Sequence, residues 1–234
     1  MRILALDTAT EACSTALLID GRLVVREAEF DRGHAEHILG MVDAVLAEEG
    51  LRLSDLDALA FGRGPGAFTG VRLAASVVQG LAFASGRPVV PVSDLAAVAQ
   101  RALDLAFKPD RVLVCNDARM QEVYWACFEL AANGLARLVG AEHVGPPSSV
   151  ALPSGWADAA AGSIAGVGRG FRAYPALGSA LAPRVNVVRD DILPRAAEIA
   201  RLATIDVAAG RLLQPDEAIP VYLRDDVARP PSRN

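Results

Sequence analysis

Ten residues, Phe61-Gly62-Arg63-Gly64-Pro65-Gly66-Ala67-Phe68-Thr69-Gly70, constrain this chain more than any others. An apolar run of strand length, 56–61, leads into them, and a proline-free run rich in Ala, Val and Leu, 71–85, leads out. The order strand, glycine loop, helix predicts an α/β unit. Closely spaced glycines let backbone N–H groups converge on an anion, and a helix N-terminus adds partial positive charge, so a phosphate cradle is the first chemistry to weigh. The Walker A version needs a Lys after the last glycine to reach the terminal phosphates, and here Val71 and Arg72 follow Gly70. The dinucleotide version survives only as Gly62-x-Gly64-x-x-Ala67, interrupted by Pro65-Gly66 and remote from the first strand. The competing reading is structural. Gly62, Gly64, Pro65, Gly66, Thr69 and Gly70 let the loop pass close to other backbone, with Thr69 or the loop itself capping the helix.

Residues 2–6 read as a buried strand and 7–11 as a polar turn, while 14–19 and 23–30 read as two more strands joined at Asp20-Gly21. Residues 33–49 carry apolar side chains at helical spacing and end at Gly50. The strand over 56–61, the helix over 71–85, a strand over 88–92 and a helix over 95–103 capped by Ser93-Asp94 give the order βββαβαβα. After a turn at 107–110 the pattern restarts. Arg111-Val112-Leu113-Val114-Cys115 has the flavour of Arg2-Ile3-Leu4-Ala5-Leu6, and each run leads to an Asp, Asp7 or Asp117, then a polar turn and an outgoing strand. Gly-Arg-Gly occurs at 62–64 and again at 168–170. These parallels predict an internal duplication, with a first lobe over 1–105, a more eroded second lobe over 106–228 and a disordered tail over 229–234. The last helix, 194–208, is free to cross back to the first lobe. Residues 130–162, rich in Ala, Gly, Pro and Ser, predict a hairpin, a short helix and a loop; strands over 163–167 and 186–188 and an extended piece over 221–223 follow.

Residue types weaken several chemistries. The 234 residues carry a formal net charge of −5, whereas a dedicated nucleic-acid binder needs a dense basic face, so RNA contact requires a partner's help. Cys13, Cys115 and Cys127 are odd in number, far apart and set among apolar neighbours, as reduced core cysteines are. His34 and His37 share a helical spacing without a third ligand near them, and His143 is isolated, so capping or surface roles outweigh a metal site. No Gly-x-Ser-x-Gly elbow occurs, and Asp190-Asp191 and Asp225-Asp226 lie in turn-like, solvated sequence. No catalytic residue, metal ligand or cofactor is assigned. Asp7 interrupts the first apolar run too early for a signal peptide, and 73–84 is short of a membrane span, so a cytoplasmic protein without a membrane partner is expected.

Along 71–85, Ala74, Val77, Val78 and Leu81 form one face and Val71, Ala75, Val78 and Ala82 an adjoining one, leaving Arg72, Ser76 and Gln79 as a narrow polar stripe. One side can face the chain's own sheet, and the other is expected to meet a partner helix. The predicted partner surface is Val71, Ala74, Ala75, Val78 and Ala82, with Ile38, Met41, Val42 and Val45 from the wide apolar face of 33–49. Packing of the two helices together on the sheet is the competing explanation. On the partner-surface reading, Ala75→Glu with Val78→Glu breaks pairing and leaves the fold intact.

Five segments then resemble one family: Ile3-Leu4-Ala5-Leu6-Asp7-Thr8, Gly64-Pro65-Gly66-Ala67-Phe68-Thr69-Gly70-Val71-Arg72, Gln79-Gly80-Leu81-Ala82, Pro91-Val92-Ser93-Asp94-Leu95 and Asp117-Ala118-Arg119-Met120-Gln121-Glu122-Val123-Tyr124. The family is TsaB (YeaZ), required to make threonylcarbamoyladenosine in bacterial tRNA. The resemblance implies an α/β fold of the actin-like (ASKHA, ribonuclease H-like) kind, with two lobes, each a mixed sheet flanked by helices. It also implies a non-catalytic paralogue of TsaD, whose His-x-x-x-His metal site has as its counterpart here only Gly33-His34-Ala35-Glu36-His37. Catalytic members of the superfamily follow the phosphate-hairpin Asp closely with Gly. Asp7-Thr8 and Asp117-Ala118 lack it, and a side chain there obstructs close approach to phosphate; Gly168-Arg169-Gly170 has Arg where Asn is expected. The implied role is a scaffold that pairs with TsaD through first-lobe helices and helps recruit the ATPase TsaE. It would meet tRNA only through the complex, form a homodimer when TsaD is absent, and leave ATP and metal to its partners. Two other classes stay open: an enzyme, either a metal-dependent peptidase or an actin-like kinase, and a self-associating structural protein.

Overall fold

In β1 (Arg2–Asp7) every residue after Arg2 is buried, so the sheet it joins must be covered on both faces. β1 pairs antiparallel with β2 (Ala12–Ile19), and β2 with β3 (Arg22–Glu29) through a turn at Asp20 and Gly21, both at positive φ. β4 (Ala58–Gly62) joins β1 in parallel and β5 (Val89–Val92) joins β4, giving the order β3-β2-β1-β4-β5. Pro91 is tolerated because β5 is an edge strand. The second sheet contains β6 (Arg111–Asp117), β7 (Val123–Leu130), β8 (Ala136–Gly145), β9 (Ile164–Val167) and β10 (Val185–Arg189). Its order, β8-β7-β6-β9-β10, repeats the first strand for strand, so the duplication is present in the backbone. This computed structural model describes residues 1–106, 108–156 and 163–224. The expected tail and Asp225-Asp226 lie outside the described residues.

The helices are α1 (His34–Glu48), α2 (Phe68–Ser85), α3 (Asp94–Leu103), α4 (Gly170–Ala173), α5 (Pro175–Leu181) and α6 (Ala196–Ala208). Alternation along the strands sorts them. Leu4, Leu6, Leu17, Leu59 and Phe61 point to one face of the first sheet and pack under α1 and α2. Ile3, Ala5, Ala16, Ala58 and Ala60 point to the other, where their small size admits α6. α3 packs against α6 and on β6 and β7 through Val112, Val114, Ala126 and Phe128, so one core runs through both lobes. α6 comes from the second half of the chain yet packs on β1 and β2. The far face of the second sheet, with Leu113, Cys115, Trp125 and Cys127, lies under Trp156, Phe171 and Leu177. Where a short helix was expected after residue 130, β8 runs for ten residues and only 3-10 turns follow among the described residues; α4 and α5, too short to show a helical period, were not anticipated.

The glycine loop begins α2 by contact with β1's end. A Cβ on Gly70 would stand 2.0 Å from the Thr8 carbonyl oxygen, and one on Gly66 would stand 2.7 Å from the Ala9 carbonyl oxygen. Backbone and hydroxyl bonds close the same contact: Ala67 N donates to Ala9 O at 2.8 Å, and Thr8 Oγ1 to Gly70 O at 2.7 Å. Gly62 clears Asp94, whose Oδ1 a Cβ would meet at 2.3 Å. Gly64 has φ +97° and lies under the Val221 carbonyl, while Pro65 is buried. Ala67 is the N-cap and supplies only backbone; Thr69 sits exposed inside the first turn, and the helix starts at Phe68, ahead of the expected Val71.

The faces assigned to a partner need correction. Val71, Ala74, Ala75, Val78 and Ala82 are at most 3% exposed, as are Ile38, Val42 and Val45; Met41 is half-buried against the same cluster. These residues seat α1 and α2 on their own sheet. Periodicity reports the width of an apolar stripe and is silent on which part of it meets the sheet. Val78→Glu is therefore expected to unfold the protein, because an unpaired carboxylate in this core costs more than about 4 kcal/mol; retention of the native circular dichroism melt would contradict the packing. Gly70→Ala should lose about 3 kcal/mol in urea denaturation through overlap with Thr8, whereas Gly80→Ala, with open space around it, should gain about 0.5–1 kcal/mol. Equal stability of the two variants would remove the close-approach account.

Candidate functional site

The duplicated halves bring the ends of β1 and β6 to opposite walls of a cleft of about 1200 Å³, lined among others by Thr8, Glu11, Asn116, Asp117 and Arg169. In the first hairpin the Asp7 Oδ1 accepts from Ala9 N at 2.7 Å, and Thr10 Oγ1 accepts from Ala12 N at 3.2 Å. The Ala9 and Ala12 amides are thus satisfied within the hairpin, and the Ala9 methyl lies against Gly66. In the second, Asp117 Oδ1 accepts from Arg119 N at 2.8 Å, while Ala118 N and Glu122 O close the turn at 3.0 Å. Arg119, Met120 and Gln121 all have positive φ, between 52° and 62°. That conformation favours glycine, and each side chain held in it costs about 1–2 kcal/mol. Gly168 and Gly170 press on β6's end as Gly66 and Gly70 press on β1's: their Cβ atoms would stand 2.6 and 2.8 Å from the Cys115 carbonyl oxygen.

Ion pairs and a chain segment cross the cleft. Arg169 pairs with Glu11, linking the loop after β9 to the first hairpin. Val221 N donates to Arg63 O at 2.8 Å, Tyr222 OH accepts from Arg72 Nε at 2.7 Å, and two residues on Arg224 bonds Ala118 O at 3.1 Å and pairs with Glu122. Residues 221–224 thus strap the start of α2 to the left-handed turn, and the extended piece expected at 221–223 belongs to neither sheet. Arg63 and Glu142 make a further bridge between lobes at 3.0 Å.

Burial dominates the electrostatics. Asp7 and Asp94 are wholly buried neighbours; removal from water raises the Asp7 carboxyl to about 7 and pushes Asp94 well above the usual carboxylate range. The three cysteines are free and buried, and desolvation lifts Cys13 to about 11 and Cys127 to about 12, so these thiols stay protonated. His34 Nε2 lies 2.9 Å from Thr10 O, His37 stacks on Phe30 and His143 on Trp125. Among the described residues no three His, Cys, Asp or Glu side chains converge to hold a metal. Asp190 pairs with Arg172 and Asp191 with Arg189 at the surface.

The other candidate surface is the outward side of α1 and α2. Phe83 is 84% exposed, Leu39 half-exposed, and Leu73, Val77 and Leu81 partly so. Ser76, Gly80 and Ala84, all exposed, run between them at four-residue steps. α2 is long and apolar enough by composition to cross a membrane, yet only 28% of it is buried in the protein. Sequence reasoning missed Phe83, which stands apart from the apolar stripes read along 71–85, and omitted Leu39, one of the apolar residues of 33–49, from the predicted surface. It missed Arg224, Glu142 and the burial of Asp94 because their partners are distant in sequence; Asp94 was seen only as part of a helix cap, a role its neighbour Ser93 fills by accepting from Ala96 N.

Comparison with known proteins follows this geometry closely. Residues 27–225 match the family model described as TsaD: tRNA N6-adenosine threonylcarbamoyltransferase. The Escherichia coli (strain K12) tRNA threonylcarbamoyladenosine biosynthesis protein TsaB is 41% identical over 97% of this chain and 96% of its own length. The Haemophilus influenzae protein of the same name is 39% identical over 97% and 95%. The solved structure of YeaZ from Pseudomonas aeruginosa superposes with a TM-score of 0.86 at 47% identity, covering 95% of this chain and 99% of that one. The two-lobed α/β architecture is the actin-like one. Sequence and backbone agree over nearly the whole length, and the chain belongs to the TsaB (YeaZ) family.

Proposed function

We propose that this chain is a non-catalytic scaffold in the biosynthesis of threonylcarbamoyladenosine on tRNA, pairing with a TsaD subunit through the outward faces of α1 and α2. Participation in that biosynthesis follows from the family. The pairing rests on one observation: α2 is apolar around most of its circumference, yet fewer than a third of its residues are buried in its own protein and Phe83 on its outer side is 84% exposed. A helix in that state lowers its free energy by packing on another helix. Ser76, Gly80 and Ala84 let a partner backbone approach, while Phe83, Leu73 and Leu39 supply area at the flanks. The scaffold reading is supported by the two hairpins, where the Ala9, Ala118 and Arg119 amides bond within the protein, and by the side chains at Thr8, Ala9 and Arg119 where phosphate would need bare backbone. ATP and metal then belong to the partner subunits, TsaE joins the pair, tRNA is met through the assembly, and the whole works in the cytoplasm. The same face gives a homodimer when TsaD is absent, since an exposed apolar stripe is self-complementary across a two-fold axis.

Ser76→Arg combined with Phe83→Glu tests the pairing without touching the core, as both side chains are exposed. The melt should be unchanged and affinity for TsaD should fall about 100-fold or more, the scale of a lost hot spot; affinity within two-fold of wild type would refute the assigned face. Light scattering should show the same variant monomeric. Reconstituted tRNA modification with this chain omitted tests the role itself, and undiminished modification would reject it.

A further inference from the structure

Asp7 ends β1 and Asp94 opens α3, and each is 0% exposed. One oxygen of each is satisfied: Asp7 Oδ1 by Ala9 N at 2.7 Å, Asp94 Oδ2 by Gly64 N at 2.5 Å. The other two, Asp7 Oδ2 and Asp94 Oδ1, are buried with no donor among the surrounding groups, while the two carboxyls lie within hydrogen-bonding reach of each other. Two bare carboxylates in that position repel, and two orphaned acceptors are costly. A single proton between them removes both penalties, making one oxygen a donor and the other its acceptor. Gly62 supports the same arrangement, since any Cβ there would strike Asp94 Oδ1.

The pair sits at a junction. Asp7 holds the turn whose Thr8 and Ala9 bond Gly70 and Ala67 at the start of α2, and Asp94 exchanges bonds with Gly64 in the loop before it. We propose that Asp7 and Asp94 form a proton-operated latch, in which one proton shared between Asp7 Oδ2 and Asp94 Oδ1 ties the β1–β2 turn and the first turn of α2 to α3, and loss of that proton loosens all three. The charged groups facing the latch come from every side. Glu198 of α6, itself paired with Arg195, and Glu142 of β8 favour retention of the proton; Arg63 and the amides of Thr8, Ala9 and Gly64 favour its release; Cys13 of β2 stays a neutral thiol. Burial outweighs them, so both carboxyls are protonated below neutral pH, the first proton leaves near pH 7, and the second, the one the two oxygens share in the latch, is held well above it. Both carboxyls are raised, so their stabilising contribution is full below about pH 4, where the unfolded chain is also protonated, and declines as pH rises through 7 and beyond.

Carboxyl-carbon NMR of the full chain labelled at aspartate reads the latch directly. One buried carboxyl should titrate near pH 7 and its partner higher, with the methyl signals of Ala9 and Ala67 moving at the higher midpoint, where the shared proton leaves. Asp94→Asn keeps an acceptor for Gly64 N and offers its amide N–H to Asp7. It should leave a single titration step for Asp7, still raised by burial, in place of the two steps of the pair, and the unfolding constant of wild type relative to the variant should rise about ten-fold or more between pH 5 and 9. If that variant does not fold, Asp7→Asn should leave a single step for Asp94 in the same way. Ordinary titration of both groups in the wild type, an Asp7 titration in Asp94→Asn identical to that of the wild type, or still alanine methyls would each overturn the proposal.

Discussion

Contact between the end of a strand and the loop that follows its parallel neighbour holds this fold together, and it is made twice. After β4, Gly66 and Gly70 lie against Thr8 and Ala9; after β9, Gly168 and Gly170 lie against the Cys115 carbonyl. At both places backbone meets backbone at distances that exclude a Cβ. The direction of α2, the shape of the hairpins and the two walls of the cleft all depend on that approach. The glycines are needed here for the room they leave, and the conformational freedom that usually explains a glycine applies only where φ is positive, as at Gly64 and Gly168.

The same approach orders the polar backbone of both hairpins. In the first hairpin an Asx turn and two bonds to the glycine loop absorb the polar backbone, and in the second a left-handed run of three side-chain-bearing residues is held by Arg224 and Glu122. α2, by contrast, carries on its outer side the kind of apolar surface other helices of the protein bury.

Much of the fold was legible because it is written in local pattern. The strand runs 2–6 and 111–115, each ending in an Asp, and the repeated Gly-Arg-Gly were enough to see two copies, since identical topology preserves identical punctuation. The glycine loop was legible as a close approach because Lys is missing after Gly70. What failed was facing. α2 has valine, alanine and leucine on nearly all sides, so no hydrophobic period could say that Val78 looks inward and Phe83 outward. The pairing of Asp7 with Asp94, 87 residues apart, and of Arg224 with Glu122 is set by tertiary geometry and leaves no local trace. α4 and α5 are only four and seven residues long, below the length at which a period can be recognised.

The α3 and α6 layer bears on the order in which the chain can mature. One face of β1 and β2, with Ile3, Ala5 and Ala16, is completed by α6, whose first residue is Ala196. During synthesis that face waits for about 180 further residues, roughly 10–40 s at ordinary translation speeds. Until then the first sheet exposes a strip of apolar backbone and alanine to the cell. The earliest strands of this protein are among the last to be sheltered, and the interval before α6 emerges is when the nascent chain most needs protection from other chains.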